Sequence, residues 1–200
     1  MRRRTFLRAC AALPLTAYRL PLTAYGDSIT AGWGASTPAR SYAALVAAAL
    51  GRALDTRAIG GSTIAQQLAA LQPPGAGPVI LLAGTNDMRA GTPLAEYRAA
   101  LADMVARLPG VWVAGPLSMT PAGYAAYGPA WSHGSDAAVA AYRAATAELA
   151  GARYVPVAYD PANVDPDLVH PNDAGHQQIA DAFLRALLPW RVSLPLMGEL

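Results

Sequence analysis

The sequence predicts a single α/β domain in which a parallel sheet is covered by helices on both faces. Three observations carry that expectation. Short apolar runs of strand length recur along the chain, and alanine-rich stretches with helical spacing fall between them. Small or polar residues then follow the runs at places where a core would take Leu or Val. Helices between successive strands allow the right-handed crossovers that parallel strands need.

The elements follow in order. Residues 20–25 (LPLTAY) read as the first strand and run into Gly26-Asp27-Ser28. A helical stretch, 42–50, leads to a second strand at 53–59, which ends in Gly60-Gly61-Ser62-Thr63. Helix 64–71 precedes a third strand, 79–83, followed by Gly84-Thr85-Asn86-Asp87. In the helix at 93–108, Thr92 is placed to cap and Pro93 to take the first helical position, where its missing N–H costs nothing. Leu94, Tyr97, Leu101, Met104, Val105 and Leu108 then share one apolar face at three-to-four spacing. A fourth strand at 111–114 opens into a long loop, 116–135, carrying Tyr124, Tyr127, Trp131 and His133. Helix 136–150, a fifth strand at 154–157 and helix 172–188 complete the domain, which spans 20–190.

Charge and composition narrow the chemistry. Of 200 residues, 15 are Arg, none is Lys and 13 are acidic, a net charge of +2. Five of those arginines lie in the first 19 residues, where there is no acid, so the body from residue 20 carries −3. The basic excess belongs to a leader, and no nucleic-acid partner is expected. Without lysine, Schiff-base chemistry and a phosphate-binding P-loop are excluded. The one cysteine, Cys10, excludes an internal disulfide, a thiolate zinc site and a CxxC redox pair. No apolar run reaches the ~18 residues that a stable membrane span requires.

Residues 1–19 hold Arg3-Arg4-Thr5-Phe6-Leu7, which fits the twin-arginine export pattern, with 9–17 as a short apolar region. Export to a periplasmic or extracellular location is the expectation if this leader works. An uncleaved basic terminus on a cytoplasmic protein is the alternative, since Leu15-Thr16-Ala17 makes a poor cleavage site. The LPLTAY of 20–25 also occurs at 13–18. Its meaning, and the role of the tail at 191–200, stay open.

Ligands of open α/β sheets bind beyond the carboxyl ends of the strands. Ser28 sits there, at the end of the first strand, as a nucleophile that needs an adjacent base. Pro171 keeps His170 out of the helical region, on a loop just before the last helix. Asp167, three residues earlier, is placed to reach the His170 Nδ1–H and to stabilise an imidazolium. The Ser28 and Gly61 N–H groups and the Asn86 amide are donors of the right kind for an oxyanion. Competing readings exist. Ser28 can serve as a helix cap, and Asn86 and Asp87 can shape a turn. Asp165, Asp167, His170, Asp173 and His176 can be read as a metal cluster, although no HExxH or comparable spacing supports it. His176 aligns with Ile179, Ala180 and Phe183, which suits a packed residue better. Gly32-Trp33-Gly34 falls short of a dinucleotide loop, and there is no GxSxG elbow.

These residues also carry a family resemblance. Gly26-Asp27-Ser28-Ile29-Thr30, Gly61, Gly84-Thr85-Asn86-Asp87 and Asp167-x-x-His170-Pro171 resemble the ordered blocks of the SGNH (GDSL-type) hydrolases across about residues 20–188. The resemblance implies a flavodoxin-like three-layer α/β/α sandwich with a five-stranded parallel sheet. It implies hydrolysis of carboxylic esters or thioesters without metal or cofactor. Carried over by position, Ser28 is the nucleophile, His170 the base and Asp167 its orienter, with Ser28, Gly61 and Asn86 as the oxyanion hole. The Asn that often precedes the second-block glycine is missing from Thr56-Arg57-Ala58-Ile59, which leaves Gly60 against Gly61 open; Gly61-Ser62-Thr63 favours Gly61. Trp33, Tyr124, Tyr127 and Trp131 are expected to wall the substrate pocket. The expected partner is a small-molecule ester, on a small or long acyl chain. A carbohydrate O-deacetylase, or a non-catalytic module on the same scaffold, are the alternatives.

Overall fold

The computed structural model describes residues 20–188. The leader at 1–19, with Cys10 and the first LPLTAY copy, and the tail at 191–200 lie outside the described residues. The sheet is built around two buried strands. β1 (Leu22–Gly26) and β3 (Val79–Leu82) are buried throughout and lie side by side at its centre. β2 (Leu54–Ala58) pairs with the other side of β1, and β4 (Trp112–Ala114) with the other side of β3. All these pairs are parallel, in the order β2-β1-β3-β4. As an edge strand, β2 can carry Asp55, Thr56 and Arg57, half-buried or exposed. From β1 the chain moves outward to β2, then crosses back to β3. The carboxyl ends of β1 and β3 therefore flank the point where strand order reverses, which in open α/β sheets is where a crevice forms.

The run at 154–157 does not make the expected fifth strand. It contributes one parallel bridge, Val113 to Tyr154, and one bond from Val155 N–H to the Val113 carbonyl at 2.8 Å. Its neighbour gives it nothing further to pair with. β4 stops at Ala114, because Gly115 passes so close to the next helix that an added Cβ would lie 3.1 Å from Arg143 Cγ. The Pro116 carbonyl is then taken by Arg143 Nε at 2.8 Å.

Alternate residues of each strand feed two separate cores, as the two-residue period of a strand requires. Leu22, Ala24, Ile80 and Leu82 pack with Val46 of α1 (Tyr42–Ala49) and Phe183 of α7 (Asp173–Leu187). Tyr25, Leu81 and Val113 pack against α2 (Ile64–Ala69), α4 (Leu94–Arg107) and α6 (Asp136–Ala150) on the opposite face. Caps hold the helix starts: Ser41 accepts from Ala44 N–H, Ser135 from Ala138, and Asn172 from Gly175. Thr63 and Gln66 form a reciprocal capping box at α2.

Two local expectations shift. Pro93 is the N-cap of α4, not its first turn, and Thr92 does not cap. Thr92 instead closes the end of α3 (Thr85–Ala90), giving its N–H to the Asp87 carbonyl at 2.9 Å, while its own carbonyl receives the Tyr142 hydroxyl. α3 and α5 (Pro121–Ala125) were not expected as helices. Among the described residues no helix is long and apolar enough to cross a membrane.

Candidate active site

β1 ends at Gly26, whose φ of +153° sends the chain into a tight loop. An added Cβ there would sit 2.1 Å from Thr30 Oγ1. Asp27 Oδ1 accepts the Ile29 N–H at 2.9 Å, an Asx turn that carries Ser28 out over the sheet edge. No helix starts here, so Ser28 does not cap one. The Trp33 N–H donates to the Ser28 carbonyl at 3.0 Å and closes the loop.

The second half of the arrangement comes from the segment before α7. Leu168 has φ +69°, a left-handed conformation that costs a side-chain-bearing residue about 1 kcal/mol or more. That turn lets Asp167 Oδ1 accept both the Val169 and the His170 N–H at 2.9 Å. Asp167 Oδ2 then meets His170 Nδ1 and also accepts the Tyr127 hydroxyl at 3.0 Å. On the other side of the ring, His170 Nε2 lies 2.8 Å from Ser28 Oγ. The structure thus brings Ser28, His170 and Asp167 into one hydrogen-bonded chain from two segments far apart in the sequence. Partial burial of Asp167 pushes its carboxyl up, but the bonds from the His170 ring and the two N–H groups hold it down at about 2. Gly34, at φ +85°, passes beneath this turn so closely that an added Cβ would lie 2.3 Å from the Pro171 carbonyl oxygen.

Gly60, Gly61 and Asn86 come from the ends of β2 and β3 to the same rim. Gly61 has φ +72°, whereas a Cβ on Gly60 would meet the Trp33 ring at 3.4 Å. Among the described residues the Ser28 and Gly61 N–H groups have no protein acceptor. The Asn86 amide donates to the Ser62 carbonyl at 3.0 Å and, at a long 3.4 Å, to Asp27 Oδ2. Behind this rim lie two enclosed acids. Burial raises Asp27 to about 7 against the pull of the Ile29 N–H, and raises Asp87 to about 6 against that of the Ile64 N–H. Asp87 is no mere turn residue, since its Oδ2 anchors the start of α2 at 2.9 Å.

Ser28, Gly61, Asn86 and His170 line a cleft of ≈ 310 Å³, with Trp33, Tyr127 and Trp131 on its walls. Trp33 tilts over the imidazole, ring centroids 5.2 Å apart, and stays 57% exposed. Tyr124 is not part of the wall. Its hydroxyl donates to Asp136 at 2.8 Å and accepts the Met119 N–H, which turns it toward α6.

The family model for GDSL-like lipases and acylhydrolases matches residues 24–178. The chain belongs to this family. It is a hydrolase of the GDSL type, a serine esterase. The fold has many solved relatives. LAE5, an alpha/beta hydrolase enzyme from the metagenome of Lake Arreo, is 25% identical at a TM-score of 0.63, over 84% of this chain and 94% of that one. TesA is 23% identical at 0.63, over 84% and 98%. Axe2, an acetylxylan esterase from Geobacillus stearothermophilus, is 22% identical at 0.59, over 84% and 94%. No curated protein matches the chain.

In this GDSL-type hydrolase Asp167, His170, Asp173 and His176, four of the residues of the metal reading, have other partners. Asp173 accepts from Ser36 N–H and Oγ at 2.8 and 2.7 Å. His176 is enclosed, accepting the Tyr42 N–H at Nδ1 (3.2 Å), with Nε2 3.0 Å from the Trp33 carbonyl. Burial lowers its pKa, which keeps it neutral and suits this pinning of the Trp33 loop to α7. Among the described residues no three His, Cys, Asp or Glu side chains are placed to share an ion. Sequence reasoning missed Arg89, which lines the cleft at 3% exposure, along with Thr85, Ile29 and Val169. Only the helical period of α3, three residues on from Asn86, could have pointed to Arg89.

Proposed function

We propose that the chain hydrolyses carboxylic esters by way of an acyl-enzyme on Ser28. The observation that carries this is the continuous contact Ser28 Oγ to His170 Nε2, and His170 Nδ1 to Asp167. Asp167, held ionised, fixes the tautomer with the proton on Nδ1 and leaves Nε2 as acceptor. As Oγ bonds to the ester carbonyl carbon, its proton passes to Nε2. The carbonyl oxygen takes the charge, met by the unoccupied Ser28 and Gly61 N–H groups and by the Asn86 amide, whose long bond to Asp27 is the one it can release. The carbon–oxygen bond to the alcohol breaks, and the imidazolium gives its proton to that oxygen. Water then gives a proton to Nε2 as its oxygen bonds to the acyl carbon, the carbon–Oγ bond breaks, and the imidazolium returns the proton to Ser28 Oγ.

The cleft's ≈ 310 Å³ and its aromatic wall support a small ester. A carbohydrate acetyl ester is the second reading, favoured by the exposed Trp33 and Tyr127 faces at the rim, 57% and 58% accessible. The test is an acyl series from acetate to palmitate on activated esters, run on the wild type and on Ser28→Ala. Turnover of short acyl groups, abolished in Ser28→Ala with the fold intact, is the expected result. A sharp preference for acetyl, retained on acetylated oligosaccharides, would select the second reading. Undiminished turnover in Ser28→Ala would sink both.

A further inference from the structure

We propose that Arg89 makes the cleft selective for esters carrying a carboxylate, which its guanidinium binds while the ester carbonyl lies at Ser28. This rests on the reading of Ser28 as the nucleophile above. Arg89 is 3% exposed and lines the same cleft as Ser28 and His170. A charge this enclosed is ordinarily paired. Among the described residues, Arg89 is in no ion pair. Its partners are the Ala126 carbonyl, 2.7 Å from Nη2, and the faces of Tyr127 and Trp131, 5.4 and 5.7 Å from Cζ. Nε is enclosed without a partner, and Nη1 makes no protein hydrogen bond.

The nearby acids Asp167 and Asp27 act on the guanidinium only through space, with no hydrogen bond to it. Both Asp167 oxygens are occupied by His170, Val169 and Tyr127. The Asp27 oxygens hold Ile29 and Asn86; Asp87 holds the Ile64 N–H through Oδ2, while its enclosed Oδ1 has no hydrogen-bond partner among the described residues and is in no ion pair with Arg89. The guanidinium lies against the Tyr127 and Trp131 rings, and the cleft it lines also carries the apolar Ile29, Trp33 and Val169. Charge-assisted hydrogen bonds strengthen in such surroundings. A carboxylate fits better than a phosphate, which brings nearly twice the charge and three acceptor oxygens to a site with few open donors.

The test compares matched ester pairs in the wild type, Arg89→Lys, Arg89→Met and Ser28→Ala. One pair is p-nitrophenyl hemiglutarate against p-nitrophenyl valerate, with the carboxylate on the acyl side. The other is 4-acetoxybenzoate against 4-methylphenyl acetate, with it on the leaving group. The wild type should favour the charged member of one pair in kcat/KM by about tenfold or more, as one charge-assisted hydrogen bond provides. Arg89→Met should erase that ratio and Arg89→Lys should keep part of it. If Arg89 only clamps the 120–135 loop, Arg89→Met lowers both members equally, and the proposal fails. It fails too if the wild type favours the neutral member of both pairs. Should Arg89→Met not fold, glutarate and valerate are titrated against folded Ser28→Ala by calorimetry, where valerate binding at least as tightly as glutarate overturns the proposal. Full turnover of all four esters by Ser28→Ala would instead overturn the acyl-enzyme reading on Ser28 and leave the carboxylate preference standing.

Discussion

At the level of single residues, Asp167 bears the most constraint. It takes the His170 ring, two backbone N–H groups and the Tyr127 hydroxyl, the last from a residue itself held at φ +68°. Asp167→Asn should lower kcat by about 10^4-fold with little change in KM, because the amide stabilises the wrong imidazole tautomer. Tyr127→Phe removes one bond to the same oxygen and should cost only a few-fold, about 0.5–1.5 kcal/mol. Steady-state kinetics on a short activated ester measures both, and an equal loss in the two variants would contradict this division of labour. Ser28, Gly61, Asn86, Asp167 and His170 were legible in the sequence because each sits in a polar block where a strand or helix boundary is required. Arg89 was not, since a cation on a short run looks solvated until tertiary packing encloses it. Tyr124 was misplaced for the opposite reason: an aromatic in a long loop reveals nothing about which wall it joins.

At the level of elements, the loop from β1 and the turn before α7 must pass one another within contact distance. Gly34 is where they cross, with an added Cβ 3.0 Å from His170 Cβ as well as against Pro171. Gly34→Ala should therefore displace the imidazole and lower kcat by about 10^2-fold. Gly151→Ala is the control: φ is +55° and nothing lies within 4 Å, so it adds backbone strain of about 1–3 kcal/mol far from the cleft. Thermal melts and rates together distinguish them, and a Gly34→Ala enzyme with unchanged kcat would refute the crossing argument. The buried strands were readable from their continuous apolar runs. α3 was not, because six residues are below the length at which local propensity decides, and its start depends on Gly84 at φ +96°. The fifth strand failed because its partner leaves the sheet, which periodicity within 154–157 cannot reveal.

For the molecule as a whole, placing the site where strand order reverses encloses two carboxyls beneath it. Asp27, at about 7, and Asp87, at about 6, are both raised above their values in an unfolded chain. The folded protein then binds more protons than the unfolded one between roughly pH 4 and 7, so stability falls as pH rises through that window. Asp167 works the other way, its stabilisation being lost only as pH drops below 4 toward 2. The melting temperature should thus decline from pH 5 to pH 8, with a shallower decline in Asp27→Asn. A rise over that range, from melts in buffers of matched ionic strength, would show that these acids are not the dominant titrating groups.

The proposed role of Ser28 is tested most directly by trapping it. The wild type is treated with a fluorophosphonate, weighed intact and mapped by peptide mass spectrometry, beside Ser28→Ala and His170→Ala. One adduct per chain on Ser28, absent from Ser28→Ala, greatly slowed in His170→Ala and matched by loss of esterase activity, is the predicted result. Activity lost through an adduct on another residue, or Ser28 left unmodified while activity disappears, would contradict it.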